Sequence, residues 1–252
     1  MLRTRVIPCL LLENEGLVKT IKFKKPAYVG DPINAIKIFN DKEVDEIIVL
    51  DISASKNKCK PNFNLIEKFS SECFMPLCYG GGIKTENDVQ RLFSLGVEKI
   101  CIQSAALNDI ELISRIADRY GSQSVVVSID IKNHWLKGRR LYHAATSQSL
   151  KYSWLEFMKK CVDSGAGEIV INSVDNDGMM TGMDTQLISE ASNAVTVPII
   201  AIGGVGSLAD IKAASEAGAS AVAAGSFFVY HGPHRAVLIT FPQYQVLEDL
   251  LR

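Results

Sequence analysis

The sequence DEIIVLD at residues 45–51 returns as GEIVINS at residues 167–173, and this pair decides the fold. Two more pairs repeat in the same way: PLCYGGGI at 76–83 with PIIAIGGV at 198–205, and GVEKICI at 96–102 with GASAVAA at 218–224. Each second copy begins 122 residues after the first (167 − 45, 198 − 76 and 218 − 96). One offset shared by three apolar segments indicates a chain built from two similar halves.

Short apolar runs recur along the whole chain, each followed by polar or glycine-rich residues and then by helical periodicity. This alternation predicts repeated strand and helix units around a parallel sheet. Two halves of four units make eight, so we predict an α/β fold: a (β/α)8 TIM barrel with a two-fold half-barrel repeat, in a single domain over residues 1–252. The predicted strands are 6–11, 46–52, 75–79, 99–103, 124–130, 168–172, 197–202 and 221–224, and the predicted helices include 31–39, 85–95, 109–120, 153–164, 184–192 and 207–217.

The composition is that of a globular protein with a large core, with 47% hydrophobic residues, 22% charged residues and a net charge of −1. This balance argues against a nucleic-acid or membrane partner. The six cysteines have neither disulfide nor zinc spacing, which favours a reducing cytoplasm. The four histidines have no metal-ligand company either, so we predict neither a metal nor a cofactor.

Two glycine clusters follow predicted strands and are candidates for phosphate binding. Glycine lets the backbone approach an anion, and a helix N-terminus just beyond supplies N–H groups. The alternative is that these glycines only form tight turns. The repeat offset and the small polar residue that accompanies each cluster favour a substrate with two anionic ends. The clusters are Gly81 and Gly82 with Ser104, and Gly203 and Gly204 with Gly225 and Ser226.

Polar residues at strand ends are candidates for the chemistry, because active sites of these barrels lie at the carboxyl ends of the strands. Asp130 ends a predicted strand and suits a general acid or base, although a helix cap or an ion pair with Lys132 is an alternative. Asp51 is a similar candidate, and Lys19 is either an anion clamp or a solvated loop lysine. Further candidates at the same edge, for substrate binding, are Gln103, Asp177 and Gly178.

The histidines carry less information. His134 and His143 fall in a polar insertion that we predict to be loop-like, and His231 and His234 follow the last predicted strand. Surface or partner contacts are the expected role of all four.

Motifs along nearly the whole chain together resemble HisF, the cyclase subunit of imidazole glycerol phosphate synthase. They are RVIPCL at 5–10, VKTIKF at 18–23, GDP at 30–32, LDISAS at 50–55, GGGI at 80–83, YGSQSVVVSIDIK at 120–132, GAGEI at 165–169 and DNDG at 175–178. The resemblance implies a HisH-like glutaminase that releases ammonia at the base of the barrel, from which ammonia crosses to a substrate at the top.

The resemblance also implies a ring of four charges at the base, which acts as an ammonia gate. Each ring position falls at the start of a predicted strand, which is where residues that meet at the base would lie. Paired charges that merely close the end of the barrel are the alternative. The implied ring residues are Arg5, Glu46, Lys99 and Glu168.

At the top the chain departs from the HisF pattern. The resemblance implies catalytic carboxylates after strands one and five, and the second is Asp130, but the first position is Leu11. Leucine can neither donate nor accept a proton. The family's Asn-Thr after strand four is Gln103–Ser104, and Ile202 replaces a serine before the glycine pair of strand seven.

Two segments, CLLL at 9–12 and FVYHGPHRAVLI at 228–239, are similar to the WbuZ branch of HisF-like proteins. That resemblance implies a third protein, an ATP-dependent N-acetyl-sugar amidotransferase. It converts an acetamido group on a nucleotide-linked sugar to an acetamidino group in surface-polysaccharide synthesis.

Two hypotheses remain. In one the barrel is an enzyme in which Asp130 transfers protons, including a genuine cyclase of histidine biosynthesis. In the other it is an ammonia conduit, which Leu11 favours. An unrelated phosphate-binding isomerase on this fold would leave the charged ring without a purpose.

Overall fold

A computed structural model describes residues 3–252 of the chain. Eight parallel strands close into a barrel: strand 1 pairs with strand 8, where Arg5 faces Ala221, and strand 5 pairs with strand 6. The predicted (β/α)8 barrel is therefore confirmed. Its strands 1 to 8 are Arg5–Glu13, Ile47–Asp51, Leu77–Gly80, Lys99–Ile102, Val125–His134, Glu168–Ser173, Ile199–Ile202 and Ala221–Ala224.

Helices surround the barrel, and several begin directly after a residue whose side chain caps the helix N-terminus. The Asp31, Ser153 and Asp184 side chains each accept a backbone N–H in the first helical turn, which satisfies a donor that the helix itself cannot. The helices are Pro32–Asp41, Phe63–Ser70, Glu86–Ser94, Ser104–Asn108, Glu111–Tyr120, Trp154–Asp163, Thr185–Ala194, Leu208–Glu216, Ser226–Val229 and Tyr244–Leu250. All six predicted helices are present.

The half-barrel repeat extends to the helix caps. Thr85 and Asp88 form a reciprocal capping box before Glu86–Ser94, and Ser207 and Asp210 form the same box before Leu208–Glu216. Both box positions are separated by the 122-residue offset found in the strands. The two halves thus share local geometry as well as hydrophobic pattern.

The barrel has one core inside its strands and another between strands and helices. Side chains alternate across a strand, so every second residue points to the barrel axis. The outer core contains the larger residues, such as Phe39, Phe69 and Tyr79. The inner core is small and consists of Ile7, Cys9, Ile48, Cys78, Cys101, Val126, Val170, Ile200, Ala221 and Ala223.

Three hairpins follow strands 1, 5 and 8 at the carboxyl end of the barrel, which we call the mouth. The strand-1 hairpin is formed by Gly16–Ile21 and Lys24–Gly30, and the strand-8 hairpin by Tyr230–His231 and Ala236–Val237. The strand-5 hairpin pairs the end of strand 5 with Gly138–His143. The prediction of a loop-like insertion around His134 and His143 was wrong, because the backbone of strand 5 continues pairing past Asp130.

Candidate functional site

Four charged side chains close the base of the barrel. Arg5 forms an ion pair with Glu46 and lies 3.2 Å from Glu168 (Nη2 to Oε2). The Lys99 Nζ atom lies 3.0 Å from Glu46 Oε1 and 3.1 Å from Glu168 Oε1. Each cation therefore contacts both carboxylates, and the structure brings all four predicted ring residues together.

The barrel axis between base and mouth is lined by uncharged side chains. Isoleucine, valine and alanine of the inner core alternate with three thiols, Cys9, Cys78 and Cys101. Burial raises the pKa of Cys9 to about 12, so this thiol stays neutral at physiological pH. A charged solute would lose its hydration without a compensating partner along this axis, whereas a small neutral solute would lose far less.

Asp130 lies at the mouth end of the axis, on the same inward face of strand 5 as Val126 and Ser128. Its Oδ2 accepts a hydrogen bond of 2.6 Å from Gln103 Nε2, and its Oδ1 accepts one of 3.3 Å from Ser128 Oγ. Burial raises the pKa of Asp130 to about 7. This carboxyl group can therefore exchange a proton near neutral pH, as an acid–base catalyst must.

Lys132 is not the partner of Asp130. Its ammonium lies over the Tyr142 ring, 5.0 Å from the centroid. Lys132 and Asp130 therefore do not form the ion pair that was the alternative role for Asp130.

Lys19 comes from the strand-1 hairpin and is buried rather than solvated. Its Nζ donates a 2.7 Å hydrogen bond to the Cys9 carbonyl, and burial lowers the pKa of the ammonium. It is the one lysine or arginine that lines a cavity of about 40 Å³ in the described part of the chain. Leu11, Asp177, Gly178 and the second glycine cluster line the same cavity.

In the second glycine cluster, neighbouring atoms leave no room for a side chain at the cavity. A Cβ at Gly225 would lie 2.6 Å from Lys19 Nζ, and one at Gly203 would lie 2.8 Å from the Ser173 carbonyl, in a backbone of φ +99°. Glycine at 225 therefore leaves the space that the ammonium occupies. With Gly204 and Ser226 nearby, the cavity offers a cation and glycine backbone to an anion, at the position after strands 7 and 8 where such barrels bind phosphate.

The first glycine cluster does not line this cavity. The Gly82 N–H donates to Ser55 Oγ at 3.2 Å, and Ser104 Oγ lies 3.0 Å from His143 Nε2. A Cβ at Gly81 would lie 2.4 Å from the Asp51 carbonyl oxygen. Glycine is therefore needed here because other segments of the chain pass too close to leave room for a side chain.

Asp51 is also turned away from the cavity. Its Oδ1 accepts from the backbone N–H of Ser53 and of Ala54, each at 2.9 Å, and from Ser53 Oγ at 2.7 Å. The carboxylate thus organises the turn after strand 2, and the structure does not bring it to Asp130 or Lys19.

Two hairpins cover the mouth. Asp177 accepts hydrogen bonds from Thr20 Oγ1 at 2.8 Å and from the Phe23 N–H at 3.2 Å, which fixes the strand-1 hairpin over the axis. Phe23 packs edge-on against Tyr142 of the strand-5 hairpin, with ring centroids 6.0 Å apart. Gln103 holds that second hairpin, because its amide contacts the Tyr142 carbonyl and the Ala144 N–H.

Two polar residues at the mouth were not predicted from the sequence. Asn172 is buried beside Gly203, and within residues 3–252 its Oδ1 atom has no hydrogen-bond partner. Ser128 contacts Asp130. Both could have been found by counting in steps of two along strands 5 and 6, from Val126 and from Glu168.

Residues 3–252 contain neither a metal-binding cluster nor a membrane-spanning helix. Among these residues no group of histidine, cysteine, aspartate and glutamate is arranged to hold a metal ion. None of the described helices combines the length and the apolar character needed to cross a membrane.

Comparison with known proteins identifies the family. Residues 5–234 match the family model described as "Histidine biosynthesis protein". The chain is 54% identical to "Putative imidazole glycerol phosphate synthase subunit hisF2" of Pseudomonas aeruginosa, over 98% of this chain and 99% of the relative. It is 49% identical to a protein of Leptospira borgpetersenii with the corresponding HisF name, over 96% of each chain, and 37% identical to HisF of Streptomyces griseus, over 90% of each. The chain belongs to the HisF family.

Proposed function

We propose that this chain is the ammonia-channelling synthase subunit of a glutamine amidotransferase. It receives ammonia from a HisH-like glutaminase at the base and delivers it at the mouth for amidation of a nucleotide-linked sugar. One observation carries the proposal: the ring at the base is complete, whereas Leu11 lines the cavity at the mouth where the HisF resemblance implies a carboxylate.

The base suits regulated entry. Lys99 bridges Glu46 and Glu168, so the ring is closed until one ion pair opens. The Lys99 side chain is 17% exposed and carries its charge on a flexible stem, which makes it the most suitable residue to move. A glutaminase docked beneath would supply ammonia directly to this point.

The axis suits neutral ammonia. Above the ring the lining is aliphatic or thiol, so passage of ammonium would require desolvation of an unpaired charge. Neutral ammonia is small and can accept or donate weak hydrogen bonds with the thiols. The interior therefore favours transfer of ammonia and disfavours back-diffusion of ammonium from the mouth.

At the mouth the chemistry of a cyclase is incomplete. Asp130 is one proton-transfer group, and Leu11 offers no second. Conversion of an acetamido to an acetamidino group needs an activated carbonyl oxygen, for which an ATP-dependent N-acetyl-sugar amidotransferase is the proposed partner. Greater identity to the Pseudomonas hisF2 protein than to Streptomyces HisF is consistent with a branch apart from the latter.

The anion site at Lys19, Gly203 and Gly225 is the proposed location for a phosphate of the substrate. A cavity of about 40 Å³ holds water but not a sugar phosphate, for which pockets of roughly 300 Å³ or more are usual. We propose that the strand-1 hairpin, which Asp177 holds through Thr20 and Phe23, moves to admit the ligand.

A second candidate is a genuine imidazole glycerol phosphate synthase cyclase in histidine biosynthesis. The observation in its favour is Asp130, whose pKa of about 7 would allow either acid or base catalysis. Leu11 is the residue that separates the two candidates.

The test of the proposed function is reconstitution with a purified HisH-like glutaminase and an N-acetyl-sugar amidotransferase. We expect a one-to-one complex with the glutaminase and glutamine-dependent formation of the acetamidino sugar. Lys99→Met removes the bridging charge, so we expect amidation from glutamine to fall at least about tenfold while amidation from ammonium chloride is unchanged.

Lys68→Met is the matched control, because Lys68 is an exposed lysine on the helix Phe63–Ser70. It should behave as wild type. If Lys99→Met keeps full glutamine-dependent amidation, the ring is a structural closure only. If wild type gives no amidation but does cyclise the histidine intermediate, the second candidate replaces the first.

A further inference from the structure

The segments around the mouth are far more basic than the chain as a whole. Residues 14–30, 52–62, 132–151 and 230–243 together contain 13 lysine and arginine residues but one acidic residue, although the whole chain has a net charge of −1. These segments follow strands 1, 2, 5 and 8, so they surround the mouth from opposite sides. We call these four basic segments the rim.

Most rim cations are neither paired nor directed into the cavity. Within residues 3–252 none of six exposed rim lysines has a carboxylate oxygen within 4.0 Å, and the cavity is lined by Lys19 instead. An exposed, unpaired charge gains little for folding stability. The six are Lys22, Lys24, Lys25, Lys56, Lys58 and Lys60.

The hairpin tips at the rim also expose apolar side chains. Trp135 is 88% exposed and Leu136 68% exposed at the turn of the strand-5 hairpin, and Leu238 is 53% exposed beside the strand-8 hairpin. Large apolar groups on protruding turns do not help the barrel to fold. Tryptophan with surrounding cations is instead typical of the centre of a binding surface.

From these features we infer that the rim is the docking surface for an acidic face of the enzyme that consumes the ammonia. This inference rests on the proposed function, in which ammonia leaves at the mouth. Ammonia in open solvent is protonated and diluted, so an exit that delivers it needs a protein seal around it. The rim flanks that exit on two opposite sides and is strongly basic, which orients a partner of opposite charge.

The distribution of the rim charges favours a protein over a small anion. A phosphate ligand would be held by cations that line the cavity, whereas the six lysines lie outside it on two separate segments. Contacts on both sides of the mouth, with these lysines on one side and exposed Trp135 of the strand-5 hairpin on the other, match an interface between proteins. A membrane of anionic lipid is the other macromolecular surface with this preference, and the experiment separates the two.

The experiment uses the full chain in complex with a HisH-like glutaminase, together with an N-acetyl-sugar amidotransferase. In the rim variant Lys56, Lys58 and Lys60 are each changed to glutamate. Its control carries Lys68→Glu, Lys159→Glu and Lys212→Glu, which make the same change of net charge on exposed helix positions. A second variant, Trp135→Ala with Leu136→Ala, changes exposed tips whose loss cannot unfold the barrel.

We expect the rim variant to lower glutamine-dependent amidation at least about tenfold and to abolish its salt sensitivity. Amidation from ammonium chloride and glutamine hydrolysis should be unchanged, and the control should match wild type. The variant Trp135→Ala with Leu136→Ala should also lose glutamine-dependent amidation, but by a smaller factor.

If the rim and tip variants amidate as wild type does while wild type still uses glutamine, the docking surface is wrong and the proposed function stands. Co-sedimentation of wild type, but not the rim variant, with vesicles of phosphatidylcholine and phosphatidylglycerol, with amidation unaffected, would assign the rim to a membrane instead. If wild type supports no amidation from glutamine, the proposed function fails and the docking inference falls with it.

Discussion

The base and the mouth of the barrel bury charge in different ways. At the base each of the cations Arg5 and Lys99 contacts two carboxylates. At the mouth Asp130 is held by neutral donors and Lys19 by a carbonyl oxygen. Burial without an opposite charge favours the neutral form of a group. It raises the pKa of Asp130 and lowers the pKa of Lys19.

This difference assigns different roles to the two ends. A closed ring of paired charges suits a gate that opens mechanically. Groups with shifted pKa values suit proton exchange or ligand binding.

The largest expected effect is on stability at the base. Glu46 has a side chain only 3% exposed between Arg5 and Lys99, so Glu46→Ala leaves two cations short of a partner. We expect a loss of about 3 kcal/mol in the free energy of unfolding, because Arg5 and Lys99 keep some solvent contact. Urea denaturation measures it. As a control, Glu72→Ala, which breaks the exposed ion pair with Lys37, should cost less than about 1 kcal/mol. Equal losses in the two variants would show that burial of the ring does not strengthen its contribution to stability.

The next effect is a pH dependence at the mouth. Burial raises the pKa of Asp130 to about 7, so between about pH 4 and pH 7 the folded state binds a proton that the unfolded state releases. The contribution of Asp130 to stability therefore falls as pH rises through this window. Asp130→Asn lacks this term, so from pH 5 to pH 8 its stability should improve relative to wild type by about 2–3 kcal/mol. Parallel stability curves would mean that Asp130 has an ordinary pKa.

A smaller effect concerns the anion site. Gly225→Ala would place a Cβ 2.6 Å from Lys19 Nζ and displace the ammonium. We expect affinity for phosphate or a nucleotide-sugar, measured by calorimetry, to fall about tenfold, which corresponds to about 1.4 kcal/mol. Asn64→Ala is a control, because Asn64 is an exposed residue of the helix Phe63–Ser70 and does not line the cavity. Unchanged binding in Gly225→Ala would place the anion site elsewhere.

Periodicity and the internal repeat were enough to predict the barrel, since a fixed offset and alternating elements leave few other folds. The ring could also be located, because residues at strand starts must meet at one end. The mouth was harder. Glycine clusters after strands look alike in sequence, yet Gly203 lines the cavity and Gly82 packs against a loop. Whether a side chain such as Asp51 turns inward or caps its own loop depends on contacts that no pattern reveals.

The hairpins over the mouth show the same limit. Lys19 lies in a polar, charged stretch that reads as solvated loop, and its burial follows from the tertiary contacts of Asp177 with Thr20 and Phe23. Such long-range contacts, between residues more than 150 positions apart, leave no local signal.

The central claim is that the base still transfers ammonia although the mouth no longer cyclises. The most direct measurement is a spectrophotometric cyclase assay with the authentic histidine intermediate and excess ammonium chloride, on wild type and on Leu11→Asp. Loss of one acid–base group costs about 10²–10⁴-fold, so we expect wild-type turnover lower by that factor than that of a histidine-pathway HisF assayed alongside, with a gain in Leu11→Asp. Wild-type turnover equal to that of the HisF standard would contradict the account and make histidine biosynthesis the function.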